Sequence, residues 1–97
     1  MPIRAIVELQ AKPGRRDELR SLIEEIARTQ GPSMPGYLGG ELYEVVGDPD
    51  ALVEIADWES AEARDALIQS PAAAELMAPM LELLAAPFRA TVVSRPA

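Results

Sequence analysis

The chain has 97 residues, 48% of them hydrophobic, with sixteen acidic against nine basic side chains and a net charge of -7. A chain of this length makes one domain with little surplus stability, which a partner copy would supplement, and its acidity repels phosphate backbones and anionic lipid, so neither nucleic acid nor a membrane surface is an expected partner. Cysteine, histidine and asparagine are all absent, which excludes disulfides, thiol nucleophiles, zinc-thiolate sites and imidazole chemistry, and makes the cytoplasm the expected compartment.

The opening, MPIRAIVELQ, sets Arg4 and Glu8 among apolar positions, which argues against a signal peptide or membrane helix. Ile3, Ala5, Val7 and Leu9 alternate with Arg4, Ile6, Glu8 and Gln10, the pattern of a strand with one strongly buried face. Lys12-Pro13-Gly14 breaks it. From Arg15 to about Thr29, the residues Leu19, Leu22, Ile23, Ile26 and Ala27 recur at helical spacing, and Asp17 and Glu18 suit the first turn of that amphipathic helix.

Gly31, Pro32, Pro35 and Gly36 punctuate a loop that can either carry residues over a pocket mouth or simply turn the chain. A second strand is expected from about Tyr37 to Val46. Gly39-Gly40 inside it suggests a bulge, which leaves the facing of Tyr37 open. Gly47-Asp48-Pro49-Asp50 closes a hairpin into a third strand, Leu52 to Trp58, with apolar side chains on both faces. Ser60 then caps a short helix containing Ala63, Ala66 and Leu67, and Ser70-Pro71 starts another whose stripe is Leu76, Met77, Met80, Leu81 and Leu84. Pro79 removes one ladder bond from that helix and is expected to split it in two. Arg89 to Arg95 alternates as a final strand.

Strand, helix, strand, strand, helices, strand is the split βαβ, ferredoxin-like order, an α+β fold with an antiparallel sheet and helices on one face. The face without helices receives Ile6 together with either Val53 and Ile55 or Leu52, Ala56 and Trp58. Either set is a large apolar area to leave wet, so a two-fold homodimer is expected.

Pro35-Gly36 before the second strand, the Asp48-Pro49 turn, W-E-S-A-E-A from Trp58, the Lys12-Pro13-Gly14 strand ending and D-E-L at Asp17 to Leu19 together resemble the antibiotic biosynthesis monooxygenase family over nearly the whole chain. The resemblance implies one ferredoxin-like domain over residues 1–97. It also implies a homodimer whose sheets form a shared α-β barrel, with a pocket between sheet and helices in each subunit. It further implies an oxygenase that uses no flavin or metal and turns an electron-rich aromatic, an anthrone or quinol, into a quinone with dioxygen. Such an enzyme holds the substrate, assists one deprotonation and excludes water. Many family members carry a histidine in the helix after the tryptophan, and that position is Leu67 here. The haem-degrading branch needs an asparagine, a tryptophan and a histidine; the last two positions match Leu67 and about Met77, which disfavours haem degradation.

Trp58 can wall a flat ligand or anchor the packing. Met77, Met80 and Phe88, with Leu84, suit either a deformable apolar wall or ordinary helix-to-sheet packing. Tyr43 and Tyr37 can donate to a ligand oxygen, and Arg89 can steady an anion. A general base would come from Glu54, Asp57 or Glu8, and the choice depends on facing and burial. Three functions stand at this level: a cofactor-independent oxygenase, a non-catalytic dimeric binding module, and an isomerase or cyclase on the same fold.

Overall fold

Alternation in Ile3 to Leu9, helical recurrence from Leu19 to Ala27 and serine caps at positions 60 and 70 each set a local element. The computed structural model describes residues 1–96. Its elements are β1 (Ile3–Gln10), α1 (Arg16–Gln30), a 3-10 turn (Gly31–Ser33), β2 (Tyr37–Glu44), β3 (Ala51–Trp58), α2 (Ala61–Ile68), α3 (Pro71–Glu82) and β4 (Arg89–Val93). The strands pair antiparallel in the order β2-β3-β1-β4, so the fold is the ferredoxin-like one expected from the sequence. Among the described residues no helix is long and apolar enough to cross a membrane.

The register fixes what alternation alone left open. Ile3 lies opposite Trp58, Ala5 opposite Ala56, Val7 opposite Glu54 and Leu9 opposite Leu52. Side chains on directly paired residues share a face, so Trp58 and Glu54 lie with Ala5, Val7 and Leu9 on the face the helices cover. The core there joins Val7, Leu9 and Leu52 to Leu19 and Ile23 of α1, with Leu19 fully buried. The opposite face carries Ile6, Val53 and Ile55, the first of the two sets the sequence allowed, together with Tyr43. Arg4 and Asp57 pair across strands there, with the guanidinium Nε 2.8 Å from a carboxylate oxygen.

Both helix starts follow the caps. The Ser60 hydroxyl accepts from the Ala63 N–H and the Ser70 hydroxyl from the Ala73 N–H, each at 3.1 Å, which satisfies donors the first turn would otherwise leave unpaired. Pro79 does not divide α3. The helix runs unbroken to Glu82 with Pro79 inside it. The residue sits in the last turn, so the bond it cannot donate would go to the carbonyl of Glu75, an exposed residue that water can serve. The chain then tightens through Leu83 N–H to Met80 and Leu84 N–H to Leu81, and Lys12 and Ala85 bond across between the end of β1 and the end of α3.

Gly36 holds the loop against α2. Its φ is +82°, and an added Cβ would lie 2.6 Å from the Ala63 Cβ, while its carbonyl accepts from the Glu59 N–H at 2.8 Å. Gly36→Ala combines a left-handed backbone with an overlap, each costing about 1–2 kcal/mol. The expected result is a loss of about 3 kcal/mol in urea unfolding; a loss below about 1 kcal/mol would contradict the close approach.

Candidate functional site

Small residues lie in a row across the covered face of the sheet. Gly40 of β2 pairs with Ala56 of β3, and Ala56 pairs with Ala5 of β1. With no bulky side chain at these positions, nothing from the sheet fills the space beneath the helices, and a cavity of about 400 Å³ remains between them. That volume falls in the range of small-molecule sites. Ala5 and Ala56 form its floor, Ile23, Ile26 and Ala27 of α1 line one side, and Ala72, Ala73, Leu76, Met77 and Met80 of α3 line another. Gln30, Ser33, Met34 and Pro35 rim it, so the loop after α1 does reach the pocket mouth.

Glu54 and Trp58 stand on either side of Ala56 along β3, roughly 13 Å apart by strand rise. Trp58 is 6% exposed. The ring of Tyr37 meets it edge-on, with centroids 5.3 Å apart and planes at 63°, an arrangement that holds both rings in place. Gly40 makes room for this pairing: a Cβ there would sit 3.0 Å from the Tyr37 hydroxyl. The bulge between Tyr37 and Gly39, where Gly39 has φ +123°, brings Tyr37 into register with Trp58 and onto the covered face. Burial pushes the Tyr37 phenol up, and the charges of Glu54 and Asp57 push the same way, so it is a neutral donor at ordinary pH.

Among the described residues the charged side chains lining the cavity are two, Glu54 and Arg64. Burial pushes the Glu54 carboxyl above its ordinary value, and the positive charge of Arg64 pulls against that shift without cancelling it. A carboxylate raised in this way, in a mostly apolar wall, is a proton acceptor whose neutral form the site favours.

The structure separates the three acids the sequence left level. Glu8 and Asp57 occupy the opposite face; Asp57 is bound to Arg4, whose hydrogen bond and charge hold its carboxyl below the ordinary value. Trp58, Leu67, Met77, Met80 and Phe88 all line the cavity. Tyr43 does not. It projects from the opposite face beside Glu41, to which its hydroxyl hydrogen-bonds, because the bulge shifts the alternation of β2 before it reaches Tyr43. Arg89 is likewise exposed and pairs in register with Glu8 on that opposite face. The sequence reading passed over Arg64, Gln30, Ser33 and Met34. Arg64 carried a signal: it lies three residues before Leu67, so the two share one side of α2.

A family model described as antibiotic biosynthesis monooxygenase matches residues 2–79. Among solved structures, Rv0793 from Mycobacterium tuberculosis is 27% identical, with a TM-score of 0.81 over 100% of this chain and 97% of that one. A protein from Chloroflexus aurantiacus, provisionally assigned as an antibiotic biosynthesis monooxygenase, is 28% identical, with a TM-score of 0.76 over 100% and 97%. A variant of SnoaB, a cofactor-independent oxygenase from Streptomyces nogalater, aligns with a TM-score of 0.83 over 99% and 94% at 14% identity, a likeness of fold. Comparison with curated protein sequences gives no match.

Proposed function

The chain belongs to the antibiotic biosynthesis monooxygenase family, and on that premise we propose that it is a cofactor-independent monooxygenase oxidising an electron-rich aromatic, of anthrone or quinol type, with dioxygen. The observation that carries this reading is Glu54, a carboxylate with a raised proton affinity set in the wall of an apolar cavity. A binding module on this fold needs no titratable group there. Leu67, at the position where many relatives carry histidine, removes one proton acceptor from the helices, and Glu54 supplies one from the sheet.

The substrate ring lies over Ala5 and Ala56, with Trp58 and Tyr37 at one end and Glu54 at the other. Glu54 takes the acidic proton and becomes the neutral acid that its surroundings favour. The substrate anion gives one electron to dioxygen, and the radical and superoxide combine to form a carbon–oxygen bond. The proton on Glu54 completes the hydroperoxide. Loss of the second proton from the same carbon, with hydroxide leaving from the O–O bond, yields the carbonyl and one water. All four electrons that reduce dioxygen come from the substrate, so no outside reductant enters. The apolar walls keep water from the intermediates.

Members of this family are typically dimeric, and the proposal includes a homodimer built on the helix-free face of the sheet. Ile6, Val53 and Ile55 lie there only half-covered, Tyr43 is 47% exposed, and Arg89, Thr91 and Val93 of β4, paired with Glu8, Ile6 and Arg4, are exposed on the same face in the single chain. A second copy placed on this face by two-fold symmetry covers them without touching the cavity.

Oxygen uptake by the purified protein on a panel of anthrones and dihydroxynaphthalenes tests the activity. Uptake above buffer is the expected result, and its absence across the panel in a folded protein would favour the binding module or an isomerase. With a substrate in hand, Trp58→Phe keeps an aromatic anchor but shrinks the stacking surface. It should raise KM about three- to tenfold with kcat nearly unchanged; a fall in kcat at constant KM would place Trp58 in the chemistry instead.

A further inference from the structure

Arg64 enters the cavity wall from α2 only partly covered, and Glu54 enters it from β3. Each feels the other's charge, yet no hydrogen bond joins them, and among the described residues neither has an ion-pair partner. The other titratable group facing Glu54 is the Tyr37 phenol of β2, while α1, α3 and β1 bring only uncharged side chains to the wall. An arginine that reaches an apolar cavity without a protein partner leaves five N–H donors free for an acceptor that the chain does not provide.

The charge balance says what that acceptor is. Before reaction the cavity holds one positive and one negative group. Moving a proton from a neutral substrate to Glu54 transfers the negative charge to the substrate and leaves the total unchanged, so the new anion meets the same cation. A substrate that arrives already anionic sets two negative charges against one arginine, which drives a proton onto Glu54 and removes the base. Resting on the oxygenase reading above, we infer that Arg64 is the residue that holds the substrate anion, that the site turns over aromatic acids only in their neutral, protonated form, and that analogues with a permanent carboxylate bind at Arg64 as inhibitors.

Trp58 is the one tryptophan of the chain, so quenching of its fluorescence reports binding without turnover. Two non-oxidisable probes suffice: anthraquinone-2-carboxylate and its neutral counterpart 2-(hydroxymethyl)anthraquinone. The wild type should bind the carboxylate about tenfold more tightly near pH 5.5 than near pH 8, and the alcohol equally at both. Arg64→Gln should weaken the carboxylate about tenfold near pH 5.5 and the alcohol less than about twofold, with Arg64→Lys recovering part of the loss. Glu54→Gln should abolish the pH dependence. Circular dichroism and unfolding curves confirm that each variant is folded. Alcohol binding together with carboxylate binding indifferent to Arg64→Gln, or with a pH dependence that survives Glu54→Gln, overturns this inference and leaves the oxygenase reading standing. Failure of both probes to bind the folded wild type overturns the two together.

Discussion

Glu54→Gln should lower kcat for oxygen uptake about a hundredfold to ten-thousandfold, the usual contribution of a positioned general base, while raising stability at neutral pH. The two effects share one cause. The Glu54 carboxyl is raised in the folded chain because its charged form loses water to an apolar wall, so folding costs most when the group is ionised. The sign follows from linkage: the folded state binds the proton more tightly than the unfolded one, and the penalty is absent below the ordinary glutamate value of 4.5. It grows as pH climbs through the higher folded value and is full above it. Glutamine has no such penalty. Glu54→Gln should therefore be more stable than the wild type by about 1 kcal/mol near pH 8, a low-end figure for a half-buried polar group without a partner, and equal to it near pH 4. The kcat profile of the wild type should rise as Glu54 ionises, over a range above that of ordinary glutamates, and the variant should lack that rise. Equal stability of the two proteins at every pH would contradict the burial argument, and equal kcat would remove Glu54 from the chemistry.

Ile55→Asp should turn a dimer into a monomer. Ile55 sits at the centre of the helix-free face, paired in register with Ile6 on one side and Glu41 on the other. In a two-fold dimer the substitution buries a carboxylate twice, near its own copy, with Glu41 adding like charge. An uncompensated buried charge costs about 3–5 kcal/mol, so the dissociation constant should rise by about a thousandfold or more. Sedimentation velocity at micromolar concentration should show a dimer for the wild type and a monomer for the variant. Thermal unfolding should become independent of protein concentration in the variant. A monomeric wild type would overturn the dimer outright. A variant that stays dimeric would move the interface away from this face, and β4, with Val92 and Val93 exposed, would be the next place to look.

The sequence carried the elements and their order because each is written locally: alternation in Ile3 to Leu9, helical recurrence from Leu19 to Ala27, serine caps at positions 60 and 70. It could not carry the facing of β3. That strand is central and lies between β1 and β2, so apolar residues occupy both of its faces, and Glu54 and Asp57 look alike until the pairing with β1 puts one over the cavity and the other beside Arg4. The same holds for the tyrosines. A bulge of one residue between Tyr37 and Gly39 sends Tyr37 to the cavity and Tyr43 to the opposite face, and a pair of glycines in sequence does not say which side of them the alternation shifts. Pro79 misled in the other direction: its cost depends on how near the helix end it lies and on whether the abandoned carbonyl can reach water, and both are properties of the folded chain.

The resemblance implied a pocket between sheet and helices, but the residues that make its floor were not legible in the sequence. Ala5 and Ala56 are about fifty residues apart in sequence and become one floor through strand pairing, with Gly40 beside them making room for the Tyr37 ring. A helix-covered sheet face normally fills such positions with branched residues. The space they leave is what distinguishes a site from a core here, and it lies between the acid of Glu54 and the ring of Trp58.

The most direct test of the account separates the proton from the oxygen. Mixing the protein anaerobically with an anthrone whose anion absorbs in the visible, near neutral pH, isolates the deprotonation. The account predicts that the anion band appears with the wild type and fails to appear with Glu54→Gln. A band of equal strength with both proteins, or none with a wild type that consumes oxygen on the same substrate, would contradict it.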